Sequence, residues 1–108
     1  MITPAEAQFI RDVVGGARYS QEKTGIPASI TIAQAIVESM WGRSPLVRKG
    51  YNYFGIKAVQ GQDYCQFPTQ EDNGGAHLEL AHFARYVSPS ACFSAHAQLL
   101  ANSKRYQP

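Results

Sequence analysis

Between Pro27 and Gly42, the residues Ile30, Ile32, Ala33, Ala35, Ile36, Val37 and Met40 leave almost no side of a helix polar. Proline opens a helix at its first turn and glycine closes one, so the pattern predicts a helix from Ala28 to about Trp41. A helix that is apolar around most of its circumference is expected at the centre of a fold. Its polar residues are ordered. Thr31, Gln34 and Glu38 fall at i, i+3 and i+7, on one stripe that Trp41 extends. A narrow polar stripe on a core helix is expected to face a cleft or a polar partner.

The flanking sequence predicts the remaining elements. Thr3-Pro4-Ala5-Glu6 has the form of a capping box with proline at the first helical position. Ala7, Ile10, Val14 and Ala17 then recur at helical spacing, which predicts an amphipathic helix to about Lys23, weakened by Gly15-Gly16 and ended near Gly25. Ser44-Pro45 predicts a short turn through Arg48-Lys49, stopped at Gly50. Tyr51 to Lys57, aromatic and glycine-punctuated, reads as a packed loop or short extended piece. Tyr64 to Glu71 and His77 to Tyr86 flank Asp72-Asn73-Gly74-Gly75, the pattern of a β-hairpin. Pro68 makes its first strand an edge or a bulge. Ser88-Pro89 starts a last helix, with Cys92, Phe93, His96, Leu99 and Leu100 on or beside its inner face. The expectation is one α+β domain over residues 1–108, mainly helical, since 108 residues do not bury a second core.

Composition excludes several classes. A chain that is 44% hydrophobic and 17% charged is globular rather than disordered. Ten basic against eight acidic side chains give +2, too little for a nucleic-acid or membrane-surface reader. No apolar run approaches the roughly 20 residues that span a bilayer. Met1-Ile-Thr-Pro-Ala-Glu6 lacks a basic n-region and a small-residue cleavage site. His77 and His82 point to opposite faces of a strand, His96 sits on another element, and no H-E-x-x-H occurs, so neither a metal nor a cofactor is expected. His82 and His96 read instead as partly buried hydrogen-bonding residues. Cys65 and Cys92 allow two outcomes. A disulfide would close a loop of about 26 residues and contribute about 3–4 kcal/mol in the chain-entropy model; the alternative is two small buried hydrophobes with free thiols.

Glu38 is the strongest candidate for chemistry. At the C-terminal end of an apolar helix, burial and the negative end of the helix dipole would both disfavour its charge. A carboxylic acid so placed among aromatic rings is how a glycosidase makes its general acid. A structural ion pair with Arg43 or Lys57 is the plain alternative. Glycoside cleavage usually needs a second carboxylate, and Glu71, Asp72 and then Glu79 are the nearest suitable acids. Trp41, Tyr51, Tyr53 and Phe54 offer rings on which sugar faces stack, with Asn52 among them as a polar partner. For Phe54, core packing is preferred.

These residues resemble a known family. Ala33-Gln34-Ala35, Glu38-Ser39 and Trp41-Gly42, followed by Asn52 and Phe54 to Lys57, match the bacterial glucosaminidase domain, family 73 of the glycoside hydrolases, which includes autolysins and flagellar peptidoglycan hydrolases. Thr69-Gln70-Glu71, Phe83-Ala84-Arg85-Tyr86, and Leu99-Leu100 to Arg105-Tyr106 continue the match in order, over most of the chain. The resemblance implies a lysozyme-like fold, with a helical lobe, a small β-hairpin lobe and a substrate groove between them. It also implies hydrolysis of the β-1,4 bond after N-acetylglucosamine in peptidoglycan glycan strands, by an endo-acting enzyme. Glu38 matches the general acid, and Glu71 the hairpin glutamate that positions or activates water. Gln34, Trp41, Tyr51, Asn52, Tyr53 and Phe54 would contact substrate. A monomer acting in the periplasm or outside the cell is expected, by an export route that no visible signal specifies.

Three departures stand out. Met40 replaces the family's usual glycine, and Tyr53 its usual leucine. Family members continue beyond the final arginine–tyrosine pair with a helical segment carrying a tyrosine near the active site; either residues 1–108 are a shortened version of such a domain, or Tyr106 or another tyrosine fills that role. Two other activities fit the same residues: a lytic transglycosylase using Glu38 alone, and a peptidoglycan-binding or assembly module without turnover.

Overall fold

A computed structural model of the chain describes residues 1–72 and 76–103, with only the backbone of residues 70–72 and 76–78. Helix α1 (Pro4–Thr24) begins at the expected capping box: the Glu6 N–H donates to Thr3 Oγ1 at 3.1 Å and the Thr3 N–H to Glu6 Oε1 at 2.9 Å. It ends at Gly25, whose φ of 78° only glycine adopts without strain. Its buried seam is Phe9, Val13, Ala17 and Ser20, one step round from the Ala7, Ile10 and Val14 line that spacing favoured. Gly16 explains the shift. A Cβ there would lie 2.6 Å from Phe93 Cβ, so the last helix presses directly on the α1 backbone and sets which face is covered.

Helix α2 (Ala28–Ser39) buries only Thr31, Ala35 and Ser39, with Ile32 and Ile36 packed beside the core. Ile30 and Val37 are exposed. The expected buried central helix is therefore corrected: α1 and the last helix hold the centre, and α2 leans on α1 with one face open. Helix α3 (Pro45–Gly50) starts at Ser44, whose Oγ accepts from the Val47 N–H. Helix α4 (Pro89–Ala101) starts in the same way, with Ser88 Oγ accepting from the Ala91 N–H at 3.1 Å. It turns Cys92, Phe93, His96 and Ala97 inward and leaves Leu99 exposed, against expectation.

Strands β1 (Tyr64–Asp72) and β2 (Ala76–Ala84) pair antiparallel, from Tyr64 opposite Ala84 to Asp72 opposite Ala76. Of the predicted turn Asp72-Asn73-Gly74-Gly75, Asp72 ends β1 instead, and residues 73–75 lie outside the described residues. The register runs without a bulge through Pro68, which faces Leu80. The ladder shows why proline fits. The Ala84 N–H donates to the Ile56 carbonyl at 2.9 Å, and the His82 carbonyl accepts from the Ala58 N–H at 2.8 Å. Even-numbered β2 residues thus turn their backbone groups away from β1. By the alternation of antiparallel pairs, Pro68, opposite Leu80, sits where no N–H is required.

The core comprises Phe9, Val13, Ala17, Ala35, Val47, Tyr53, Cys92 and Phe93. Phe93, fully buried, meets Tyr53 and Phe54 at ring-centroid distances of 5.6 and 4.9 Å; burying such a side chain contributes about 2–3 kcal/mol. Both cysteines are free thiols, which resolves the disulfide question against a bridge. Their sulfurs serve different neighbours. Cys92 Sγ, inside the core, accepts from the Tyr53 N–H at 3.4 Å, and burial pushes its thiol up to about 11. Cys65 Sγ packs on the end of α3, 3.0 Å from where a Gly50 Cβ would stand.

Candidate active site

The two polar residues at the exposed end of α2 share one flank. Gln34 and Glu38, four residues apart, are both solvent-exposed. Thr31, expected on the same stripe, is fully buried in the helix packing, its hydroxyl without a described partner. Exposure of Glu38 corrects the expectation of a buried acid. The alternative ion pair is not formed either: among the described residues, neither Arg43 nor Lys57 is bonded to its carboxylate. The group is exposed to solvent in the last turn of α2.

What holds it there is the residue beside it. Ser39 is fully buried; its Oγ donates to the Ala35 carbonyl at 2.5 Å and accepts from the Gly42 N–H at 2.9 Å. Its own carbonyl accepts from the Ser44 N–H at 3.1 Å. Ser39 therefore spans the end of α2, the turn after it and the start of α3. Within that turn three successive residues are left-handed, Met40 (φ 52°), Trp41 (φ 59°) and Gly42 (φ 77°). The first two carry side chains, and such a conformation costs about 1–2 kcal/mol per non-glycine residue. The strain begins two residues after Glu38, with Ser39 between, and Ser39 was not singled out from the sequence. Its signal was available: a serine at the last position of an apolar helix, with backbone donors close behind it.

The rings sort into two groups. Trp41 is half-buried, edge-on to Phe9 with centroids 5.7 Å apart, and Tyr51 is exposed at φ 49°. Both can touch a ligand. Tyr53 cannot; it is 4% exposed between Phe9 and Phe93, and burial, with Asp12 nearby, pushes its hydroxyl up to about 12. Phe54, half-buried, packs against Phe93 and stacks on His96 at 3.8 Å and 11°, the core role preferred for it.

Asn52 is corrected outright as a substrate contact. It is 1% exposed, its Nδ2 donates to the carbonyls of Ile56 and Ala84 at 2.9 Å each, and its Oδ1 accepts from the Ile56 N–H at 3.0 Å. The amide ties the aromatic segment to the end of β2 and, sealed from solvent, is out of a sugar's reach.

Of the second carboxylates, Glu71 and Asp72 lie near the end of β1, opposite His77 and Ala76, and their side chains are outside the described residues, as are those of His77 and Tyr106. Glu79 is exposed, opposite Thr69 in the ladder. His82 is exposed rather than partly buried; it stacks on Tyr64 at 4.0 Å and its ring nitrogen meets Gln66 Nε2 at 2.9 Å. His96 is buried, its Nδ1 without a partner, and burial holds its pKa below the usual imidazole value. No group of three metal-ligating side chains is found among the described residues.

The helical part and the two-stranded hairpin form a fold found elsewhere. The glucosaminidase family model, described as mannosyl-glycoprotein endo-β-N-acetylglucosaminidase, matches residues 15–108. The chain belongs to the glucosaminidase family. It is 37% identical to the exo-glucosaminidase LytG of Bacillus subtilis over 106 residues, which is 93% of this chain and 38% of that protein. It is 34% identical to the peptidoglycan hydrolase FlgJ of Salmonella typhimurium over 97 residues, 83% of this chain and 31% of the relative. The chain thus spans about a third of these relatives. Among solved structures, the catalytic domain of the autolysin Auto from Listeria monocytogenes superposes with a TM-score of 0.83 at 31% identity, covering 99% of this chain and 62% of that one. The fold is the family's lysozyme-like one, mostly helical with a two-stranded antiparallel sheet.

Proposed function

We propose that the chain hydrolyses the β-1,4 bond following N-acetylglucosamine within peptidoglycan strands, with Glu38 as general acid and Glu71 as the residue that positions or activates water. One observation carries this reading: an exposed carboxyl group without a described partner, held at a helix end by a buried serine and followed by a strained turn. A surface glutamate needs no such support, and strain of this kind collects at working sites. Family membership and the names of the relatives supply the substrate.

The chemistry needs two proton movements. Glu38 gives its proton to the glycosidic oxygen as the bond from the anomeric carbon breaks. Water adds to that carbon, and its proton passes to Glu71. A glycan lying over α2 would exclude water from Glu38 and strengthen each polar contact there. Gln34, Trp41 and Tyr51 are the residues placed to meet it. All of them belong to a single copy, which fits action as a monomer, and the substrate lies outside the cytoplasmic membrane.

Mass spectrometry of fragments released from purified peptidoglycan tests the proposal. Expected products are internal fragments ending in reducing N-acetylglucosamine, one water heavier than the corresponding anhydro sugars. Anhydro-muramyl ends would show a lytic transglycosylase instead, reducing muramic acid a muramidase, disaccharides released only from strand ends an exo enzyme, and no fragments a binding module.

A further inference from the structure

Away from Glu38, a cavity of about 560 Å³ opens where the helical part meets the hairpin, lined by Pro45, Arg48 and Lys49 of α3 and Phe67 of β1. Lys49 Nζ lies 5.6 Å from the centre of the Phe67 ring, close enough for the cation to be held over its face. Arg48 and Lys49 are exposed, and neither has a carboxylate partner among the described side chains. The charge is not local chance. Between Glu38 and Asp63 the sequence carries Arg43, Arg48, Lys49 and Lys57 and no acidic residue, whereas the whole chain nets only +2. The cavity is also tied in sequence to both proposed catalytic residues: α3 follows the turn after the Glu38 helix, and Phe67 is four residues before Glu71 in β1.

A neutral sugar backbone gives two adjacent cations nothing to pair with. A carboxylate does, and a ring at the cavity wall suits the apolar chain that carries it. We propose that this cavity binds the carboxylate carried by the substituent of the glycan's muramyl residues, either on the stem peptide or on the bare lactyl group. The proposal rests on peptidoglycan being the substrate. It makes α3 a specificity element that distinguishes peptidoglycan from uncharged N-acetylglucosamine polymers.

Binding tests this without relying on turnover. The Glu38→Gln chain and the same chain with Arg48→Gln and Lys49→Gln are compared on intact peptidoglycan, amidase-stripped glycan and chitin oligomers. Both substituted cations are exposed, and circular dichroism checks that the fold is kept. The expected result is roughly 5–10-fold weaker retention of the triple variant on intact peptidoglycan, a flatter salt dependence, and unchanged binding to chitin oligomers. A loss confined to intact material assigns the stem-peptide carboxylates; a loss that persists on stripped glycan shows that the site also takes the lactyl carboxylate uncovered when the amide bond to the peptide is cut. Equal losses on chitin, no loss on peptidoglycan, or no binding of the parent chain to peptidoglycan overturns the proposal. Hydrolysis is scored separately with Glu38 restored, so charge-dependent retention without fragment release would refute the proposed activity and leave this site standing.

Discussion

Glu38 and Asn52 are polar residues beside aromatic ones, and the fold treats them as opposites. Asn52 is sealed in, with its amide spent on three backbone groups. Glu38 is open to solvent, while the backbone behind it is strained and pinned by Ser39. A polar side chain with every bond internal stabilises the fold. One left open beside a supported, strained turn is, in the proposed function, the group that meets substrate. The difference separates architecture from chemistry more clearly than residue type does.

The largest stability effect should fall on the sealed residue. Asn52→Ala leaves the Ala84 carbonyl and the Ile56 N–H without their partner, the Ile56 carbonyl keeping its bond from the Ala84 N–H, at about 1–3 kcal/mol for each buried group left unpaired. A total near 3 kcal/mol is expected by urea unfolding, with any loss of activity following the unfolded fraction. A midpoint within error of the parent would break the contrast.

His96 gives an intermediate effect under the same segment. Its pKa is lowered by burial, so the unfolded chain binds the proton more readily than the folded one. Stability from this residue is complete above about pH 6.5 and is lost as pH falls below that, by at most about 1.4 kcal/mol per pH unit. His96→Phe should flatten the acid limb of a stability–pH curve. An unchanged slope would show that other groups control it.

The smallest effect belongs to the open region. Met40→Gly relieves a left-handed methionine but adds freedom to the unfolded chain, so a net gain of about 0.5–1 kcal/mol is expected. A loss of stability would mean that the Met40 side chain, not backbone strain, decides this turn.

Much of this was readable from sequence because caps and turns are local. Thr3 with Glu6, Gly25, Ser44-Pro45 and Ser88-Pro89 each fix an end using atoms a few residues apart, and the hairpin strands follow from their flanking turn residues. What escaped depends on distant neighbours. The rotation of α1 is set by Phe93 pressing on Gly16, and periodicity does not register a contact across 77 residues of chain. The apolar make-up of α2 could not show that Ile30 and Val37 stay exposed. Asn52 looked like a ligand contact because its acceptors, Ile56 and Ala84, come together only through the fold of β2. Glu38-Ser39 was legible as a motif, whereas the division of labour between its two residues was not.

The most direct measurement compares Glu38→Gln with the parent chain for both peptidoglycan clearing and thermal unfolding. General acid catalysis contributes about 10²–10⁴-fold, and exposed substitutions usually shift stability by no more than about 0.5 kcal/mol. The predicted result is clearing reduced at least about a hundredfold, with an unfolding curve that overlays the parent. Retention of most of the clearing activity would contradict the assignment of Glu38 as the proton donor.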